Sequence, residues 1–187
     1  MHCSFLLPMQ AFIVALAVTS GSAAAEERDR PAALAVPANQ AESQPYDAGS
    51  LRVIASSENT GGTFAVLELH EAGGYLTPPH VHPGMDESFY VLEGTLQLHM
   101  QGRTQTLGAG SYVFIPRGTP HAQGSADKNP VRLLATFTPG GFDGFFLDRV
   151  QLARTTQRTD PEFQGRMLDI VRRYPQWLKP AELPAVP

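Results

Sequence analysis

The stretch GYLTPPHVHPGMDESFYVLEG, residues 74–94, brings His80, His82 and Glu87 close together among prolines and glycines. Two imidazoles one residue apart with a nearby carboxylate can hold a divalent transition metal. The same residues also suit a polar loop that binds nothing. On a strand, residues i and i+2 point to one side, so His80 and His82 can aim together. Glu87 follows the turn residues PGMD and opens the next apolar run, which can return it to the same region. An HxH pair alone is more often a pair of satisfied polar residues than a metal site.

The elements that must position these residues read as strands. LRVIAS (51–56), TFAVLELH (63–70), SFYVLEG, TLQLHMQ, TQTLG, SYVFIP, HAQGS and VRLLATF follow one another, with glycine-bearing turns every eight or so residues. This spacing predicts a sandwich or barrel, not βαβ units. In TLQLHMQ, Leu96, Leu98 and Met100 share one face, and Gln97, His99 and Gln101 the other. His99 is therefore expected on the wet face. After Pro139 the period changes, and GGFDGFFLDRVQLA and DPEFQGRMLDIVRRYPQWL read as helices. The second is expected to start at an Asp160 N-cap followed by Pro161. Phe163, Met167, Ile170, Val171 and Tyr174 form one apolar stripe. It is expected to pack on the outside of the β domain, with a dimer contact as the alternative.

With 187 residues, a net charge of −4 and a pI near 5.8, the chain fits one domain plus extensions. It lacks long basic runs and a helix-turn-helix segment, so nucleic-acid binding is not expected. Residues 1–25 read as a signal peptide, an apolar stretch followed by small residues. Ala23 and Ala25 fit a small-x-small cleavage site that leaves Glu26 first in a secreted or periplasmic protein. The stretch is short and interrupted by Pro8, so stable membrane insertion is not expected, although it lacks basic residues before the apolar core and an uncleaved anchor is the alternative. The single cysteine, Cys3, lies in this segment, which leaves a mature chain with neither disulfide nor thiolate ligand. Residues 26–49 read as a flexible arm or linker, 50–140 as the β-barrel and 141–187 as a C-terminal helical extension.

A second block carries related punctuation: Gly110, five residues, Pro116-x-Gly118, two residues, His121, three residues, Ser125. Together with Gly74, His80-x-His82, Glu87 and Gly94, this block resembles the paired motifs of the cupin superfamily. The resemblance covers roughly residues 51–140. Ser125 departs from it, since that motif commonly ends in Asn, at a position that is not a ligand in the family. The resemblance implies an all-β fold, a cupin (jelly-roll) β-barrel followed by the C-terminal helical extension. It implies one divalent metal (Fe, Mn, Ni, Co, Cu or Zn) held by His80, His82, Glu87 and His121. His121, just after a Pro/Gly turn, can close the site from the opposite side. Glu87 has a second candidate role as catalytic base. Phe89, Met100 and Phe114 are candidate substrate-binding residues, with ordinary core as the alternative.

The single barrel followed by FTPGGFDGFF looks like the small bacterial quercetin-dioxygenase-like cupins. In that family the aromatic segment covers the barrel mouth; Phe142, Phe145 and Phe146 either do so here or simply seal the core. The implied function is a metal-dependent dioxygenase acting with O2 on a small aromatic or enolisable substrate. A non-oxidative isomerase, cyclase or lyase and a non-enzymatic small-molecule-binding barrel are the alternatives. The resemblance also allows a homodimer, since the family often pairs through barrel edges and a strand near 51–56, read as an edge, could pair that way; the sequence does not fix the oligomeric state.

Overall fold

The structure is a computed structural model and describes residues 31–184 except residue 39. The expected leader lies outside the described residues. Among them, no helix is long and apolar enough to cross a membrane.

In chain order the elements are β1 (Gln44–Tyr46), β2 (Gly49–Ala55), β3 (Ala65–Glu71), β4 (His80–Val81), β5 (Asp86–Glu93) and β6 (Thr95–Met100). There follow β7 (Arg103–Gly108), β8 (Tyr112–Ile115), β9 (His121–Ser125), β10 (Val131–Thr138), α1 (Asp143–Thr155), α2 (Phe163–Arg172) and β11 (Lys179–Pro180). Two antiparallel sheets enclose the core, in the orders β1-β2-β3-β10-β5-β8 and β11-β4-β9-β6-β7. This is the all-β jelly roll with a helical C-terminal extension that the strand spacing and motifs predict.

Period-two alternation builds the core. Ala65, Leu67 and Leu69 on β3, Glu87, Phe89 and Val91 on β5, and Leu133, Ala135 and Phe137 on β10 all turn inward and are buried. Registers are pinned by short turns. Gln101 and Gly102, with φ of 55° and 67°, form the two-residue hairpin joining β6 to β7. Both φ values are positive, as a type I′ turn requires, and its twist matches that of the strands.

The extensions depart from the sequence expectation. Residues 44–46, expected within the flexible arm, form β1 on β2, with Tyr46 and Ala48 buried in the core. The composition hid this because only one large apolar residue marks the strand. β1 also covers β2, so the segment 51–56 is an inner strand, not the expected edge; the outer strands of that sheet are β1 and β8. α2 begins at Phe163 and not at Pro161. The Asp160 carboxylate instead accepts from the Gln157 amide at 2.6 Å, within a turn ahead of the helix. The chain leaves helical geometry after Arg172, and residues 179–180 pair with β4. His99 lies on the outward face as expected, paired through Nδ1 with the Thr104 hydroxyl at 2.8 Å.

Candidate metal centre and its cavity

Four side chains from three places in the fold converge. His80 lies on β4 and His82 just after it, Glu87 on β5 and His121 at the start of β9. Each offers one ligand atom, and these atoms lie within 4.8 Å of one another. β4 and β9 place His80 directly opposite His121. The imidazole centroids are 4.2 Å apart for His80–His121, 4.9 Å for His80–His82 and 5.3 Å for His82–His121. His82, Glu87 and His121 are buried and His80 is half-buried.

The supports of these rings decide what they can bind. His80 Nδ1 meets the Pro78 carbonyl at 2.9 Å, His82 Nδ1 the Trp177 carbonyl at 2.6 Å and His121 Nδ1 the Thr119 carbonyl at 3.0 Å. A carbonyl only accepts, so each Nδ1 must carry the proton. In a neutral imidazole the Nε2 lone pair is then free, the tautomer a metal requires. His121 Nε2 lies 3.0 Å and His82 Nε2 3.2 Å from Glu87 Oε2, and His82 Nε2 makes no hydrogen bond among the described residues. With both Nδ1 atoms spoken for, a second proton on each ring or a shared cation must reconcile these lone pairs with the carboxylate. A divalent cation fits this donor set: three neutral nitrogens and one anionic oxygen, with room for further ligands.

The electrostatics agree. Burial, with the adjacent His121 and His82, lowers His80 to about 3 and so keeps it neutral. Burial alone would raise the Glu87 carboxyl. The adjacent His82 and His121 rings outweigh it and hold Glu87 well below the usual carboxylate range. Burial opposes protonation of His121, but its hydrogen bond to Glu87 prevails and raises it.

Neighbouring turns hold the ligands in place. The Gly118 amide donates to the His82 carbonyl at 2.9 Å, from a backbone with φ of 79° that favours glycine. Arg117 grips Asp86 with Nε and Nη2 at 3.1 and 2.8 Å, fastening the Pro116–Gly118 turn to the strand that carries Glu87. Ser125, where the resembled motif has Asn, still serves the turn: its hydroxyl donates to the Asp127 carbonyl at 2.9 Å.

The cluster opens into a cavity of about 350 Å³. Phe142, Phe145 and Phe146 line it, with Phe163, Met167 and Val171 from α2. All three phenylalanines are buried in the core and wall the cavity. The α2 stripe packs against α1 and faces the cavity, which corrects its expected place on the outside of the β domain. Phe142 packs edge-on to His82 at 5.1 Å and stacks on Phe145 at 4.8 Å.

None of the three expected substrate-binding residues lines this cavity. Phe89 points inward but is sealed in the core at 0% exposure. Met100, opposite His121, is half-buried against the core. Phe114 is 54% exposed, because alternation along β8 turns Val113 and Ile115 inward and Tyr112 and Phe114 out. Sequence reasoning also missed a polar group lining the cavity, Asp47, Glu71, Tyr75 and Arg149. Glu71 was legible, since it continues the inward alternation of Leu67 and Leu69. The Trp177 carbonyl was not, because no residue type marks a backbone acceptor.

This jelly roll with its inward three-histidine, one-carboxylate cluster is the architecture of the cupins. The family model described as Cupin domain matches residues 66–137, so the chain contains a cupin domain. The chain is 30% identical over 95 residues to quercetin 2,3-dioxygenase of Bacillus subtilis (strain 168), a match spanning 51% of this chain and 28% of that enzyme. Among solved structures, polyketide cyclase RemF from Streptomyces resistomycificus superposes with a TM-score of 0.50 at 26% identity, covering 57% of this chain and 80% of that one. An RmlC-like cupin from Shewanella frigidimarina shares the fold at a TM-score of 0.52 and 19% identity, covering 62% of this chain and 98% of that one.

Proposed function

We propose that this cupin is a metal-dependent dioxygenase acting on a small aromatic or enolisable substrate. The observation that carries the reading is the set of three Nδ1-to-carbonyl bonds. They aim free Nε2 lone pairs, with Glu87, at one end of an aromatic-walled cavity. Similarity to the Bacillus quercetin 2,3-dioxygenase supports the reaction type. A redox-active divalent metal, when bound, supplies Lewis-acid polarisation of an enolate oxygen and electron exchange with O2.

The chain's own residues do the rest. His80, His82, Glu87 and His121 would hold the metal. Phe142, Phe145 and Phe146 orient a flat apolar substrate and exclude water from the reacting carbon. The Glu87 carboxylate is the acceptor for the substrate hydroxyl proton.

The test is metal content of the purified protein followed by O2 uptake with flavonols and other enolisable aromatics. About one redox-active metal per chain and O2-dependent product support the reading. Turnover that continues without O2 refutes it and favours a non-oxidative cyclase, the reading that similarity to the polyketide cyclase supports. Saturable binding without product would instead favour a binding barrel. We further propose that the chain is exported and matured at Glu26, on the strength of its leader-like residues 1–25.

A further inference from the structure

The cavity has a second polar end that metal chemistry leaves unused. Glu71, the last residue of β3, is 3% exposed and lines the same cavity as His80, His82 and Glu87. Its Oε2 has no hydrogen-bond partner of good geometry among the described residues, and neither has the Tyr46 hydroxyl, which lies beside the carboxyl. The nearby cation is already committed. Arg149 donates from Nε and Nη2 to Asp47 at 2.7 and 3.0 Å and from Nη2 to the Tyr75 hydroxyl at 3.1 Å. It also lies over the rings of Tyr46, Phe145 and Phe146.

An unpartnered buried carboxyl is unfavourable for folding and uncommon in natural proteins. At a cavity wall, a partner can come from a guest. A cationic guest would have to sit beside the Arg149 guanidinium. Phe142, Phe145, Phe146 and Phe163 line the same cavity, so a neutral aromatic guest is favoured. A carboxyl oxygen accepts a hydrogen bond whether the group is ionised or not.

We propose that Glu71 is a substrate-anchoring residue, accepting a hydrogen bond from a hydroxyl of an aromatic ligand separate from the oxygen that meets the His80/His82/Glu87/His121 cluster. The assignment rests on the reading that this cavity is the substrate site. It adds a requirement: a good ligand carries two oxygens, one for each end. Glu71 then determines specificity by leaving a guest that lacks the second hydroxyl with an unpaired buried carboxyl.

The test compares phenol with toluene as probes of the full chain, titrated by NMR against wild type, Glu71→Leu and Glu71→Gln. Wild type should bind phenol at least about tenfold more tightly than toluene, the factor expected of one buried hydrogen bond. Glu71→Leu should lose that preference, and Glu71→Gln, whose amide oxygen still accepts, should retain it. Equal binding of the two probes by wild type, or a preference that survives in Glu71→Leu, overturns the proposal. Ligand-free Glu71→Leu should melt no lower than wild type, and up to about 2–8 °C higher, because an unpaired carboxyl is removed. A fall of that size would show a structural carboxyl and overturn it as well. Anaerobic titration with 3-hydroxyflavone and 3,7-dihydroxyflavone separates the two readings. Failure of both flavonols, with phenol discrimination intact, sinks the flavonol-type function and leaves the Glu71 anchor standing.

Discussion

Deleting residues 175–187 tests how the C-terminal strap governs the metal centre. The strap does two things: its Trp177 carbonyl accepts the His82 Nδ1 proton at 2.6 Å, and β11 pairs with the strand bearing His80. The Ala181 amide adds a bond to the Pro79 carbonyl at 3.1 Å. Removing the carbonyl frees the His82 ring to rotate or to change tautomer. Loss of such a support lowers metal affinity about 10–100-fold. A second cost comes from packing. The Trp177 ring lies against Gly84 and Gly141, where an added Cβ would stand 3.3 and 2.9 Å from it. Full Trp-to-Ala truncation costs about 3–5 kcal/mol, and this half-buried ring should contribute roughly half of that. Tyr174 remains in the truncated chain, and with it the 2.6 Å bond to Asp148 that secures α2 on α1. Competition against a chelator of known affinity measures the first effect, and urea unfolding of the metal-free protein the second. A truncated chain that is folded and binds metal as tightly as wild type would refute the idea that the strap orients His82. A Trp177→Ala variant distinguishes ring from carbonyl: stability should fall more than metal affinity, because the backbone acceptor remains.

Four further outcomes are expected. His80→Ala/His121→Ala should lose a metal content near one per chain, read by elemental analysis beside circular dichroism; unchanged stoichiometry would show that the metal sits elsewhere. Phe89→Ala should cost about 3–5 kcal/mol in denaturant unfolding, whereas Phe114→Ala should change stability by less than about 0.5 kcal/mol; equal costs would contradict their opposite faces. Burial raises the Glu71 carboxyl to about 8, with Glu87 and Asp47 adding to the shift and Arg149 and Tyr46 opposing it. Its folded form therefore holds the proton more tightly than the unfolded chain. The resulting stability is fully present below the ordinary carboxylate range near 4.5 and is lost as pH rises towards 8. In metal-free protein, Glu71→Gln should flatten that part of the stability profile, and a profile identical to wild type would contradict it. Mass spectrometry of protein from an exporting host should find an N-terminus at Glu26, and an intact leader would contradict export with cleavage.

Local rules made much of this protein legible before any coordinates. Alternation placed Glu87, Phe89 and Val91 on one inward face, and glycine-bearing turns set the strand spacing. The motif intervals pointed to four residues far apart in sequence that the structure brings within 4.8 Å. Those signals depend on a period of two and on turn residues whose backbone demands are local. Phe114 failed because a four-residue strand can be phased either way, and only pairing with β5, where Phe114 faces Ser88, fixes which face is out. β1 went unseen because three residues carry no period.

The sequence by itself determined the approximate spacing of the strands, the candidate ligands and the change to helices after Pro139. Tertiary structure decided everything that depends on a backbone group or a distant neighbour. The Trp177 carbonyl is chemically like any other until the chain folds back across 95 residues to His82. Glu71 becomes an unpaired carboxyl only because Asp47 and Tyr75 occupy Arg149. Phe163, Met167 and Val171 of the α2 stripe become cavity wall because α2 packs on α1, where the Tyr174 hydroxyl bonds Asp148. Periodicity records which way a side chain faces, but which groups remain unsatisfied is a property of the assembled fold.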